Sequence, residues 1–246
     1  MPTLLSRGPF PASASRNRRG LLTPIYSNFK GFLPNTISGL ILWLKSDTIT
    51  GLADNAAVSS WSDSSGNSNT ASQGTGAVQP IYKTNIRNGL PAVRFDGAGD
   101  YMTLASNITA APLTIFIVAS RTSGTSYRHL LDLQKVFVLS TPGSGSNWAV
   151  YVNAEPDSGQ SLTSTPKVIS AVVRNYNDID MLTNGANSVT RTTGTGYMSG
   201  ASSMVGGDGG GSSHTGDIFE ILVYNSALSS VNRALVETHL MQKYAL

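Results

Sequence analysis

The stretch LTIFIVA, residues 113–119, is apolar at nearly every position. Successive side chains of a β-strand point to opposite faces of the sheet, so a strand that is covered on one face only alternates apolar and polar residues. This stretch does not alternate, and both of its faces must therefore be covered by other parts of the protein. The pattern predicts a central strand of a β-sandwich.

Strand-like runs separated by turns continue on both sides of this stretch. An Asn-Gly pair, Asn184-Gly185, follows the run 179–183 and predicts a β-hairpin. The glycine-rich segment 206–213 predicts a loop, and it is no phosphate-binding loop because it has no lysine and no following helix. The predicted strands are 40–44, 91–95, 101–104, 113–120, 136–140, 148–152, 167–174, 179–183 and 218–224.

One helix is predicted, at residues 229–243. Ser229 is suited to the N-cap, and the apolar residues that follow gather on one broad face. His239 lies within the apolar arc, where we interpret it as a packing residue. The fold class predicted from these patterns is all-β, an antiparallel two-sheet sandwich with one C-terminal helix.

Composition excludes several classes of protein. The chain has 246 residues, of which 13% are charged, against roughly 25% in ordinary globular domains. It has no cysteine, which excludes a disulfide framework, a thiolate metal site and a cysteine nucleophile. No apolar run approaches the roughly 20 residues of a membrane span. The N-terminus also lacks the apolar core of a secretory signal, so we expect no membrane partner.

Residues 1–36 have the composition of an extended N-terminal arm. Their five prolines preclude a helix, and residues 1–35 carry five basic side chains and no acidic one. A solvated tail and an arm that orders against a neighbouring subunit are both open, but scattered apolar residues favour the second. The basic residues are too sparse to favour nucleic acid. The residues expected to anchor the arm are Arg7, Phe10, Arg16, Arg18, Arg19, Tyr26 and Phe29.

The stretch from Asp96 to Asp100, DGAGD, joins two predicted strands. Its glycines suit a tight corner, in which each carboxylate accepts from nearby backbone amides. The alternative is a calcium site, to which Asp96 and Asp100 would contribute. Calcium needs six to eight oxygens, so Asp63 and Asn67 would have to help, and the corner is the favoured interpretation.

The segment WSDSSGN, residues 61–67, has the residue types of a glycan site. An exposed tryptophan can stack on a sugar ring while Asp and Asn fix its hydroxyls, which makes Trp61, Asp63 and Asn67 candidates. A tryptophan in the sandwich core is the more common case for Trp61. Trp148, which follows a glycine- and serine-rich stretch, is the best candidate among the tryptophans for an exposed ring at a strand edge.

No catalytic pattern is evident. A glycosidase needs two carboxyl groups at a defined separation, and the chain's three glutamates form no paired pattern on one strand. Asp178 and Asp180 share a strand face, but they precede the hairpin and could simply face solvent. Asp217 and Glu220 are expected on opposite faces of their strand. The histidines are dispersed, so we expect no enzyme.

Four segments together resemble a known family. In order and spacing they are similar to concanavalin A-like, laminin-G-like jelly rolls of the kind common in bacteriophage virion proteins and in bacterial glycan-binding proteins. The resemblance covers roughly residues 38–246 and leaves out the arm. It implies two sheets packed face to face, with a concave face that binds sugar in many relatives. The segments are 39–47, 58–67, 87–97 and 216–229.

The resemblance implies a phage virion structural protein, on the head or the tail, at the particle surface. The arm 1–36 would anchor it to other virion proteins and to sister copies, and the domain 37–246 would project outward, where it could adsorb weakly to host polysaccharide. A bacterial exported carbohydrate-binding module or lectin is the alternative. No cofactor is expected unless calcium binds.

Overall fold

The computed structural model describes residues 31–109, 111–123, 128–134, 136–141, 147–151, 157–175, 177–191 and 202–246. The compact body runs from Leu33 to Leu246. It includes a 3-10 turn, Pro34–Thr36, that was predicted to belong to the arm. Pro34 is buried, and its carbonyl accepts a 2.9 Å hydrogen bond from the Tyr224 hydroxyl. The predicted anchoring residues of the arm lie outside the described residues.

The body is an all-β sandwich of two antiparallel sheets, as predicted. In the first sheet the described strands run in the order β14-β13-β12-β7-β16-β5-β4, and β1 also pairs with β16. The strands of this sheet are β1 (Leu40–Lys45), β4 (Ile81–Arg87), β5 (Leu90–Asp96), β7 (Leu113–Arg121), β12 (Lys167–Asn175), β13 (Asp178–Thr183), β14 (Ala186–Arg191) and β16 (Thr215–Tyr224).

The second sheet has the order β11-β10-β9-β8-β15-β6-β3-β2 among the described strands. It contains several very short strands, because loops interrupt it between β2 and β6. The strands are β2 (Ser60–Trp61), β3 (Ala71–Ser72), β6 (Met102–Leu104), β8 (Arg128–Leu133), β9 (Val136–Thr141), β10 (Asn147–Tyr151), β11 (Asp157–Ser161) and β15 (Met204–Val205).

Strand β7 is central, as LTIFIVA predicted. It lies between β12 and β16, and every residue from Leu113 to Ser120 is buried. Ile115 and Ile117 belong to the core between the two sheets. On the other face, Phe116 meets Tyr224 edge-to-face, with 6.0 Å between ring centroids. Burial on both faces explains why the strand has no alternating polar residues.

One α-helix, α1 (Ser230–Tyr244), packs on the outer face of the first sheet. The Ser229 hydroxyl caps it by accepting from the Asn232 amide at 3.3 Å, which confirms the predicted start. Val236, Leu240 and Tyr244 are fully buried against the sheet. None of the helices among the described residues has the length and hydropathy needed to cross a membrane.

Buried polar contacts fix the helix on the sheet. The carboxylate of Glu220, fully buried on β16, accepts from Trp43 Nε1 at 2.6 Å, Lys243 Nζ at 2.7 Å and the Tyr244 hydroxyl at 2.8 Å. Because an ion pair at such a site is costly to break, this contact defines how the helix end sits on the strand. The layers are therefore sheet, sheet and helix.

Candidate functional site

Asp63 organises the loop between β2 and β3. Its Oδ1 accepts from the backbone amides of Trp43 and Ser65, both at 2.9 Å. Its Oδ2 accepts from the Asn69 amide at 2.9 Å and from the Ser65 hydroxyl at 2.8 Å. With four donors on one carboxylate, the side chain ties the loop to β1. The structure therefore gives Asp63 a scaffolding role within the loop.

Asn67 lies at the exposed part of the same loop. Its Nδ2 donates to the Leu40 carbonyl at 3.0 Å and to the Ser65 hydroxyl at 2.9 Å. Both amide hydrogens are thus used within the protein, and the Oδ1 atom is left as an acceptor. Asn67 borders a pocket at this end of the sandwich.

The pocket has a volume of about 360 Å³. It lies where β1 and β7 begin, where β16 ends, and where the loops after β2 and β6 meet. Aliphatic side chains and polar amides and hydroxyls share its surface, and none of the described lining residues is charged. The lining residues are Ile41, Asn67, Asn69, Ser106, Asn107, Ile108, Thr109, Leu113 and Asn225.

Two asparagines hold the pocket wall together. Asn69 Oδ1 accepts from the Ser106 amide at 2.7 Å and so joins the two loops. Asn107 Oδ1 accepts from the Ser203 amide at 2.8 Å, while the Ser203 hydroxyl accepts from the Ile108 amide at 3.0 Å. These contacts run between segments distant in sequence, so the pocket is preformed by the fold.

Asn225 reaches the pocket because residue 39 is a glycine. Gly39 has a φ of +87°, which favours glycine, and a Cβ there would lie 2.5 Å from Asn225 Oδ1. The Asn225 amide also donates to the Gly39 carbonyl at 2.9 Å. The glycine thus makes room for one wall of the pocket.

The two candidate tryptophans are both in the core. Trp61 and Trp148 have no exposed surface, and Trp148 Nε1 donates to the Thr183 hydroxyl at 2.9 Å. The expectation that Trp148 is exposed is corrected: β10 is an interior strand of its sheet, and the ring points between the sheets. For Trp61 the core interpretation holds. Neither ring can stack on a sugar in this arrangement.

The corner between β5 and β6 has the geometry of a tight turn. Asp96 Oδ1 accepts from the Ala98 amide at 2.7 Å, and Asp100 Oδ2 accepts from the Asp96 amide at 3.0 Å. Gly97 and Gly99 have φ values of +78° and +137°. Asp100 is almost completely buried, and burial raises its pKa to about 6. Each carboxylate thus accepts from a backbone amide within its own turn.

No group of three or more His, Cys, Asp or Glu side chains suited to a metal ion occurs within the described residues. Asp63, which would have had to help Asp96 and Asp100 to bind calcium, accepts with both oxygens from donors of its own loop and of β1. Asp96 and Asp100 lie close to each other, since the Asp96 carboxylate helps to raise the pKa of Asp100. The described residues add no third His, Cys, Asp or Glu side chain to this pair.

The acidic pairs considered for catalysis are engaged in structural contacts. Arg174 pairs with both Asp178 and Asp180, which confirms that the two share a face. Burial acts to raise the pKa of Asp180, but hydrogen bonds from Arg174 and Thr190 lower it overall. Asp180 is buried and does not face solvent, contrary to one interpretation of the sequence.

Asp217 and Glu220 lie on the same face of β16, and the expectation of opposite faces is wrong. A β-bulge shifts the register of β16 against β7 between Ile218 and Glu220. Asp217 forms a two-pronged ion pair with Arg94, at 2.7 and 2.8 Å, whereas Glu220 binds the helix. Each carboxylate thus has its own structural partners.

A second, smaller groove lies beside β2. Its volume is about 270 Å³, and serine and threonine side chains dominate its lining, together with Ile49 and Leu52. Ser60, on β2, is exposed there. This groove offers hydroxyl groups but no side-chain amide among its described lining residues.

Sequence reasoning found Asn67 and missed Asn69, Asn107 and Asn225. The one local signal was Asn107-Ile108-Thr109, which has the pattern of a glycosylation motif. The amides are brought together by loop contacts over long sequence distances, which spacing along the chain does not reveal.

No protein-family model matches this sequence, and no curated protein matches it. Solved structures do share its fold. Domain 4 of the GH43 extracellular arabinanase of Geobacillus stearothermophilus, in complex with arabinotriose, aligns with a TM-score of 0.58 and 15% identity, over 80% of this chain and 97% of that domain. The similarity extends over nearly the whole of that domain.

Toxin and sialidase structures are similar too. The binding domain of Paraclostridial Mosquitocidal Protein 1 has a TM-score of 0.59 and 11% identity, over 85% of this chain and 53% of that one. Trypanosoma rangeli sialidase in complex with sialic acid has a TM-score of 0.55 and 13% identity, over 84% of this chain. The chain spans about a third, 33%, of the sialidase. At these identities the similarity shows a shared β-sandwich fold.

Proposed function

We propose that the body of this protein is a non-catalytic carbohydrate-binding domain that holds sugar in the amide-lined pocket. One observation carries the proposal: three asparagines with fixed amides surround a pocket that also exposes aliphatic surface. Sugars offer hydroxyl groups beside apolar C–H faces, so a site for them combines oriented polar groups with apolar contact. The pocket volume of about 360 Å³ suits a small ligand.

The structural neighbours support this proposal at the level of fold. The arabinanase domain was solved with arabinotriose, and it is a domain of about the same extent as this body. A sandwich that shares this architecture therefore has the scaffold on which such a site is built. Fold alone does not assign function, so the argument rests on the pocket.

The absence of catalysis is part of the proposal. A glycosidase needs one carboxyl group to donate a proton and a second to act as nucleophile or base beside the same bond. The described lining of the pocket contains no carboxylate, and the nearby Asp63 holds four donors of its own loop. A screen of polysaccharide hydrolysis should show no turnover. Release of reducing ends in proportion to the amount of protein added would contradict the non-catalytic function.

The binding proposal is tested with two matched serine variants of the full-length protein. Ser106→Arg places a long side chain in the amide-lined pocket, and Ser60→Arg does the same in the groove beside β2. Both serines are exposed, so neither change should disturb the core. Binding to a panel of immobilised polysaccharides is measured for the wild type and for both variants.

We expect the wild type to retain at least one polysaccharide, Ser106→Arg to lose it, and Ser60→Arg to keep it. Loss only in Ser60→Arg would move the site to the smaller groove. No retention by the wild type of any neutral or acidic polysaccharide would contradict a carbohydrate-binding function.

The particle setting rests on the sequence resemblance and on the basic, proline-containing arm. Under this proposal the arm anchors copies of the protein to a phage particle, and many displayed copies turn weak sugar binding into strong adsorption. The exported binding module remains the alternative. Deletion of residues 1–32, which spares the Pro34 contact, should abolish incorporation into particles while leaving sugar binding intact. Normal incorporation would contradict anchoring by the arm.

A further inference from the structure

The orientation of each amide in the pocket is fixed by the backbone. Asn107 Oδ1 accepts from the Ser203 amide, and Asn69 Oδ1 accepts from the Ser106 amide. A backbone N–H cannot be bonded by an NH₂ group, so neither amide can flip without losing its contact. The NH₂ group of each side chain is therefore a donor whose position is fixed.

Asn67 offers the pocket an acceptor instead of a donor. Its NH₂ group donates to the Leu40 carbonyl and to the Ser65 hydroxyl, so its Oδ1 remains as an acceptor. The pocket thus presents two fixed donor groups and one fixed acceptor group. Ile41, Ile108 and Leu113 supply the aliphatic part of the same lining.

This set of groups matches an acetamido substituent. The carbonyl of an acetamido group accepts from NH₂ donors, its N–H donates to an amide oxygen, and its methyl group packs on aliphatic side chains. A plain hydroxyl lacks the methyl group and the rigid pairing of donor and acceptor. An acidic sugar would need a cationic partner for its carboxylate, and no described lining residue carries a positive charge.

We infer that the pocket selects an uncharged, N-acetylated sugar. The inference rests on the proposed function and names its ligand class. Two features distinguish this ligand from competing sugars. It carries an acetamido group where a plain sugar carries a hydroxyl, and it lacks the carboxylate of an acidic sugar. Each feature has its own comparison in the experiment below.

The experiment uses three soluble probes and the full-length protein. Tri-N-acetylchitotriose and cellotriose share one β-1,4-linked glucose backbone and differ in the acetamido group at position 2 of each ring. N-acetylneuraminic acid carries an acetamido group together with a carboxylate. Dissociation constants are measured by isothermal titration calorimetry. We expect chitotriose to bind at least tenfold more tightly than either of the other two probes.

A variant tests whether the amide donors are responsible. Asn107→Asp keeps the oxygen that accepts from the Ser203 amide and replaces the NH₂ donor by a second oxygen, so the local fold is retained. It should weaken chitotriose binding at least tenfold. Asn184→Asp is the matched control, because Asn184 also accepts from a backbone amide, that of Val168, at the opposite end of the first sheet. It should leave binding unchanged.

The outcomes separate the inference from the proposed function. Equal or tighter binding of cellotriose or of N-acetylneuraminic acid would overturn the inference, and so would chitotriose binding that is insensitive to Asn107→Asp. In those cases a carbohydrate-binding function would stand if Ser106→Arg abolished binding. If none of the probes and none of the immobilised polysaccharides bound, both the inference and the proposed function would be wrong.

Discussion

Replacing Asp63 by alanine should weaken both the fold and the pocket. The carboxylate accepts from three backbone amides and one hydroxyl, and these donors lose their common partner. Two of the released donors, the amide and the hydroxyl of Ser65, belong to a half-buried residue and can bond to water. The Trp43 and Asn69 amides belong to residues that are only 6% and 5% exposed, so both stay without water.

The expected magnitude follows from these contacts. Each buried donor left without a partner costs about 1–3 kcal/mol, so two of them cost at least about 2 kcal/mol, and loss of the loop contacts adds about 1 kcal/mol. We therefore expect the free energy of unfolding of Asp63→Ala to fall by about 3 kcal/mol. For a domain of this size that corresponds to a melting temperature lower by about 6–12 °C. Sugar affinity should fall at least tenfold, because Asn67 and Asn69 lose their fixed positions.

The assays are urea denaturation followed by circular dichroism, and calorimetric titration with a polysaccharide retained by the wild type. Asp54→Ala is the matched control: Asp54 also accepts from a backbone amide, that of Thr84, but at an exposed site. It should shift the urea midpoint far less and leave affinity unchanged. An Asp63→Ala protein with wild-type stability would refute the scaffolding role. Lower stability with full affinity would refute the link between this loop and the pocket.

Three further predictions concern the buried groups. Glu220→Gln leaves the Lys243 ammonium with a weaker partner, so it should lower the free energy of unfolding, measured by calorimetry, by about 3 kcal/mol. Asp47→Asn, which removes the charge of the other partner of Lys243, should lower it less. Burial raises the pKa of Asp100 from 3.8 to about 6, so the folded protein holds this proton more tightly than the unfolded chain does. The contribution of this group to stability should therefore fall as pH rises from about 4 to 7, and the urea midpoint of Asp100→Asn should lack that part of the pH dependence; identical pH profiles for the two proteins would contradict the raised pKa. The three tryptophans are at most 6% exposed, so added sugar should leave their fluorescence unchanged and acrylamide should quench it poorly; strong quenching would indicate an exposed ring.

The elements with strong local signals could be predicted from the sequence. LTIFIVA identified a central strand because a strand that is hydrophobic on both faces must be covered on both faces in a sandwich. Asn184-Gly185 identified a hairpin because the two residues adopt φ values of +49° and +68°, which few other residue pairs tolerate. Ser229 and the apolar arc after it identified the helix.

The features that depend on register could not be predicted. The face on which Glu220 lies was missed because a one-residue bulge in β16 reverses the alternation after Ile218. Trp148 was expected at an edge because glycine and serine precede it, but β11 covers the outer side of its strand. The local pattern of each segment does not show which strands are neighbours in a sheet.

The candidate site was predicted in part. The composition of WSDSSGN identified a polar loop next to the amide-lined pocket, but it did not distinguish Asp63, which supports the loop, from Asn67, which borders the pocket. Asn69 and Asn107 meet through contacts with Ser106 and Ser203, and such partners are set only when the two sheets pack.

The most direct test of sugar recognition at this pocket is nuclear magnetic resonance on the ¹⁵N-labelled protein. The side-chain NH₂ signals of Asn69 and Asn107 report on the two groups that are proposed to donate to the ligand. Titration with tri-N-acetylchitotriose should shift both signals along one saturable curve and leave the NH₂ signal of Asn184 in place. If both signals stayed fixed while the sugar bound elsewhere, or if no signal moved at any concentration, the pocket would not be the site.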